Sequence, residues 1–63
     1  MFTVENVTEN TVVIDVLVNM LDQNVYVYGC KSDKRNKPFL FKSKEEAIHA
    51  AFEMGNGFSI IEQ

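Results

Sequence analysis

A single cysteine in a chain of 63 residues is the feature that most limits what this protein can fold into. Cys30 has no second cysteine to pair with, which excludes an internal disulfide and a zinc site built from several cysteines. A chain of this length buries only about 60% of the surface that its unfolded form exposes. Small proteins without such cross-links depend on one closely packed core or on a partner subunit. We therefore expect one domain over residues 1–63, with a homodimer as one way to gain stability.

The balance of apolar and charged residues predicts a folded, water-soluble domain. Apolar residues make up 46% of the chain and charged residues 24%, which is typical of globular proteins rather than disordered segments. No apolar run approaches the ~18 residues that a membrane-spanning helix needs. The segment Met1–Glu5 lacks the basic and apolar regions of a signal peptide. We therefore expect a cytoplasmic protein with no membrane partner.

Charge is segregated along the chain, which the net charge of −3 conceals. Residues 1–30 carry four acidic side chains and no basic one. Residues 31–44 contain all six basic residues and a single Asp, and residues 45–63 again carry four acidic residues and no Lys or Arg. Such segregation steers a protein toward partners of complementary charge. The pattern favours an interaction protein over an enzyme.

The segment Thr11–Leu21 decides the fold class. Six of the eight residues from Thr11 to Val18 are β-branched, which favours a strand with the even-numbered residues from Val12 to Met20 on one face. Polar residues at 11, 15, 19 and 22 also fall at helical spacing, so a helix is the alternative. Asp22–Asn24 is typical of a turn. The other expected strands are Phe2–Val4, Val25–Lys31 with a bulge at Gly29, Pro38–Lys42 and Phe58–Glu62.

One helix is predicted over residues 44–54. Ser43 is a natural N-cap, Glu46 completes the S-x-x-E capping box, and Gly55 is a typical stop. The apolar stripe expected to face the sheet consists of Ala47, Ile48, Ala51 and Phe52. These elements predict an α+β fold, with a small antiparallel sheet of three to five strands and one helix packed on one face, in the order β(β)ββ-α-β.

Residue types that could perform catalysis or bind metal are few. Glu45 and Glu53 each lie four residues from His49, a spacing that fits a solvated flank with ion pairing better than a weak metal site. Cys30 would need a nearby base to act as a nucleophile, and a small packed side chain is the simpler interpretation. The sequence contains no glycine-rich phosphate loop, EF-hand or CxxC motif. We expect no enzyme activity, no catalytic residue, no metal and no cofactor.

The basic loop (residues 31–37) and the tyrosines before it are the candidate binding site. Its members are Lys31, Lys34, Arg35, Lys37, Tyr26 and Tyr28. The leading hypothesis is a small non-enzymatic inhibitor or regulator that docks on a larger protein through segregated charge. Five Lys to one Arg, with six Asn, indicates an AT-rich coding sequence of the kind expected for a phage or mobile-element accessory protein.

Two alternatives remain open at the sequence level. The first is a nucleic-acid-binding regulator, in which tyrosine rings stack on bases beside the lysines. The acidic net charge disfavours this alternative because it repels phosphate, and the chain has only one arginine, the residue best suited to phosphate recognition. The second is a homodimeric structural module whose sheet continues through an edge strand.

Overall fold

A computed structural model describes all 63 residues as one four-stranded antiparallel sheet with one helix. The elements are β1 (Phe2–Asn6), β2 (Thr11–Val18), β3 (Asn24–Cys30), α1 (Lys44–Met54) and β4 (Phe58–Glu62). The strands lie in the order β3-β2-β1-β4, so two hairpins are followed by a return through α1 to the free side of β1. This is the strand order of a Greek key, and it confirms the predicted α+β fold. The helix is neither long nor apolar enough to cross a lipid bilayer.

Residues 11–18 form a strand, as their β-branched side chains predict, but the predicted alternation of faces is wrong. A bulge between Val13 and Asp15 leaves Ile14 as the extra residue of β2. Val13 and Val16 therefore share the face that packs against the core under α1, whereas strict alternation would separate them. β2 also ends at Val18, short of the predicted Leu21.

The predicted bulge at Gly29 is absent, and close packing explains the glycine instead. Gly29 pairs in regular register with Val12 of β2. A Cβ at this position would lie 2.6 Å from the side-chain nitrogen Nδ2 of Asn36 in the basic loop. The Asn36 side chain donates to the carbonyl oxygen of Cys30 at 3.0 Å, so the loop lies directly against this end of β3.

Residues 38–42 do not form the predicted strand. Phe41 makes one bridge to Phe2, in which each backbone N–H donates to the other's carbonyl oxygen at 2.8–2.9 Å. The N–H of Phe39 donates to the carbonyl oxygen of Val13 at 2.9 Å. β1 and β2 pair only at the ends joined by their turn, so this segment fills the gap where the two strands diverge. The segment therefore makes one bridge to β1 and one hydrogen bond to β2, and no continuous ladder forms.

The helix packs through a stripe that includes Ala47 and Ala51 as predicted but is rotated away from Ile48 and Phe52. Its sheet-facing side chains, at i, i+3, i+4 and i+7, are Ala47, Ala50, Ala51 and Met54. Ile48 is half exposed, and the Phe52 side chain is 83% exposed. The small alanines bring the helix close to Val4 and Phe41 in the core, and α1 lies across β1 and β4. The far half of the β2–β3 hairpin is therefore left outside the helix.

Candidate functional site

Lys31, a candidate binding residue, is held in an ion pair on the sheet face away from α1. Its ammonium group lies 2.5 Å from one carboxylate oxygen of Glu5, a residue only 5% exposed. The other oxygen accepts from the Thr3 hydroxyl at 3.1 Å, and Thr3 in turn accepts from the Gln63 amide at 3.1 Å. Burying a carboxylate costs free energy unless it is paired and hydrogen-bonded. Lys31 therefore stabilises the fold through Glu5 and is not free to bind a partner.

Arg35 is also occupied within the chain. Its guanidinium donates two hydrogen bonds to the Asp33 carboxylate, at 3.2 and 3.0 Å. These bonds lower the pKa of Asp33 and raise the pKa of Arg35. Lys34 and Lys37 are exposed and form no ion pair within the chain. Of the four basic residues of the loop, these two lysines are free to meet a partner.

The tyrosines and the basic loop do not form one surface. The Tyr26 hydroxyl lies 2.8 Å from Nδ1 of His49 on α1, which places Tyr26 on the helix side of the sheet. Tyr28 is exposed on the same side, two residues further along β3. Lys31 points to the opposite side, toward Glu5. The two tyrosines and Lys31 therefore lie on opposite faces of the sheet.

Cys30 and His49 are separated, and each has its own partners. The Cys30 sulfur lies 3.1 Å from the Ser32 hydroxyl, and this hydrogen bond is the main cause that lowers the pKa of the thiol. His49 bonds to Tyr26 instead of forming the predicted ion pairs with Glu45 and Glu53. No group of three His, Cys, Asp or Glu side chains is placed to hold a metal ion.

The far end of the β2–β3 hairpin exposes a cluster of apolar side chains, which we call the hairpin tip. Its members are Leu17, Val18, Met20, Leu21 and Val25. Met20 is fully exposed and Leu21 is 77% exposed. Leu17 pairs with Val25 on the face away from α1 and Val18 follows on the helix side, so the hairpin tip exposes apolar side chains on both faces of the hairpin. Isolated surface apolar residues are ordinary, but several at one end of a molecule mark an interaction site or an aggregation liability.

The turn of the hairpin tip is well ordered by hydrogen bonds. The side-chain oxygen of Asn19 accepts from the N–H groups of Leu21 and Gln23, both at 2.9 Å. The Asn19 N–H donates to the Gln23 carbonyl oxygen at 2.9 Å, and the Asp22 N–H donates to the Asn19 carbonyl oxygen at 3.1 Å. These bonds hold Met20 and Leu21 out from the sheet in one arrangement.

A second feature, the aromatic cleft, lies between the hairpin and the first turns of α1. It has a volume of about 420 Å³ and is lined by Val16, Asn24, Tyr26, Phe39, Phe41, Glu45, Glu46 and His49. The Phe39 and Phe41 rings meet edge to face at 4.8 Å, and the Tyr26 and Phe41 centroids are 6.4 Å apart. The cleft joins three aromatic rings with two carboxylates.

Sequence reasoning missed both of these features. The hairpin tip had a visible signal, since Met20 and Leu21 are large apolar residues between the turn formers Asn19 and Asp22. The aromatic cleft had none, because β2, β3, the segment before α1 and α1 itself each contribute to it. A fold alone does not specify function, so these surfaces carry the functional hypotheses. No protein-family model, curated protein or solved structure matches this chain.

Proposed function

We propose that this chain is a small non-enzymatic interaction protein, an inhibitor or a regulator, that docks on a larger protein through the hairpin tip. The observation that carries the proposal is the exposure of five neighbouring apolar side chains on an ordered hairpin beyond the core. Burial of such side chains is the main favourable term in protein association. An ordered turn lowers the entropy lost on binding, which favours affinity.

The charge around the hairpin tip indicates the chemistry of the partner. β2, β3 and the turn between them contain Asp15 and Asp22 and no basic residue. The complementary surface is therefore an apolar groove with a basic rim. A second copy of this chain fits less well, because a symmetric contact between two hairpin tips would bring two Asp22 carboxylates into one interface.

Comparative capture tests this proposal. We expect tagged wild-type protein to retain a partner that the double variant L17K/L21K loses, since lysine opposes both the apolar contact and a basic rim. The matched control is V7K/F52K, which places two lysines at exposed apolar positions outside the hairpin tip. Retention by the control, together with unchanged thermal stability of both variants, supports docking through the tip. Equal retention by wild type and L17K/L21K would contradict it.

The other two hypotheses are outcomes of parallel measurements. Sedimentation of wild-type protein as a dimer that L17K/L21K dissociates would identify a second copy as the occupant. Titration with single- and double-stranded oligonucleotides at two salt concentrations tests nucleic acid. Binding at low salt that is lost when Lys34 and Lys37 are replaced by Glu would replace the docking proposal with the nucleic-acid one.

A further inference from the structure

We propose that the aromatic cleft binds an organic cation, a guanidinium or alkylammonium group. Ring faces attract cations that lie within about 6 Å of the ring centroid. Phe41 is only 3% exposed, packs edge to face against Phe39 at 4.8 Å and lies 6.4 Å from Tyr26, so it forms the floor of the cleft. The rings that a cation can reach are those of Phe39 and Tyr26, which are both partly exposed and both line the cleft.

The carboxylates of the aromatic cleft favour the same ligand. Glu45 and Glu46 both line it, and neither is among the ion pairs that form within the chain. The N–H of Glu46 donates to the Ser43 hydroxyl at 3.2 Å, but its carboxylate does not complete the predicted capping box. Two full negative charges exceed the roughly half positive charge of a helix N-terminus. Lys42 and Lys44 are near in sequence and do not line the cleft.

The size and walls of the aromatic cleft suit a cation with a short alkyl stem. Its volume of about 420 Å³ is within the range of small-ligand sites and holds a trimethylammonium or guanidinium head. Val16 adds an apolar wall beside the rings. The hydrogen bond between Tyr26 and His49 joins β3 to α1 across the cleft, which fixes its width. A metal ion fits less well, because three converging ligands are absent.

Two matched pairs of ligands test the proposal on the full chain alone, without any protein partner. The first pair is choline and its neutral isostere 3,3-dimethylbutan-1-ol, and the second is N-acetyl-arginine amide and its neutral citrulline counterpart. We expect saturable NMR shifts of the Tyr26, Phe39 and His49 rings with the cations, and at least about tenfold weaker binding of the neutral isosteres. A preference for choline indicates a free small amine, and a preference for arginine indicates a protein side chain.

Charge-neutral variants locate the site. We expect E45Q/E46Q to weaken cation binding severalfold, whereas Glu62→Gln, an exposed residue of β4 outside the cleft, should leave it unchanged. Phe39→Leu should also weaken cation binding. If Phe39→Leu fails to fold, E45Q/E46Q provides the test. Neutral isosteres that bind as well as the cations would overturn the proposal. The proposal would also be overturned if E45Q/E46Q bound the cations with wild-type affinity, if Glu62→Gln lost as much cation affinity as that variant, or if no saturable NMR shifts appeared. Because no partner is present, these results are independent of docking through the hairpin tip.

Discussion

Gly55 and Gly57 flank the turn after α1 and both have φ of +95°, a conformation that residues with a Cβ rarely adopt. A Cβ at Gly55 would meet nothing within 4 Å, whereas one at Gly57 would lie 2.9 Å from the amide nitrogen of Asn6. Asn6 is buried, and its side-chain oxygen accepts from the Glu9 N–H at 3.0 Å. The two glycines therefore share a conformation that would strain any residue with a Cβ, and they differ in their surroundings.

We predict that Gly57→Ala destabilises the protein more than Gly55→Ala does. Strain alone should cost Gly55→Ala about 1–3 kcal/mol of unfolding free energy. Gly57→Ala should lose more, because Asn6 must also move away from its hydrogen bond. Urea unfolding followed by circular dichroism measures both values, and equal losses would contradict the close contact at Asn6.

A second prediction at the residue scale concerns the Cys30 thiol, which is exposed and hydrogen-bonded to Ser32. That bond stabilises the thiolate and lowers the pKa of Cys30, so the thiol should react with iodoacetamide at lower pH than an unperturbed cysteine. We expect Ser32→Ala to raise the midpoint of the pH–rate profile. Ser59→Ala, a serine in β4, serves as the control and should leave the midpoint in place. A Ser32→Ala profile identical to that of the wild type would show that Ser32 does not set the pKa.

Among the elements, α1 shows how side-chain size sets the packing of a helix. Ala50 is fully buried against the sheet, whereas Phe52 is 83% exposed. We predict that Ala50→Leu costs about 1–3 kcal/mol of unfolding free energy by overpacking. Phe52→Ala should stay within about 0.5 kcal/mol of wild type, as is usual for exposed positions. Thermal unfolding of the two variants measures the difference. A large loss of unfolding free energy in Phe52→Ala would indicate that Phe52 packs against the sheet, as its hydrophobicity predicts.

The elements that could be predicted from the sequence are those with strong local signals. β-branched residues identify β2, and Ser43 and Gly55 bracket α1 at its observed bounds. The rotation of α1 was predicted wrongly because two stripes are both helical in spacing, and the larger side chains of Ile48 and Phe52 suggested the wrong one. Close approach to Val4 favours alanine, and that requirement arises only from the assembled core. The bulge at Ile14 and the path of Phe39 and Phe41 likewise depend on tertiary contacts.

Across the whole molecule, the buried residues are concentrated at one end. The hairpin tip lies at the other end, outside the core. β1 is paired on both sides, and its residues from Thr3 to Asn6 are all buried. The far half of the β2–β3 hairpin has regular pairing from Asp15 to Val18, but α1 does not cover it and its side chains are mostly exposed. The molecule is accordingly elongated, with extents of 32 × 21 × 21 Å.

This imbalance predicts two levels of hydrogen-exchange protection within one continuous sheet. Backbone pairing without burial opens by local fluctuations, so amides of Leu17–Val18 and Asn24–Val25 should exchange much faster than those of β1. Amides of β1 should exchange only through global unfolding, and their protection should fall with added urea along the slope of the unfolding transition. Residue-resolved exchange by NMR measures both groups. Equal protection of the two groups would contradict this prediction, and a loss of protection at the hairpin tip on dilution would then identify contacts between copies as the cause.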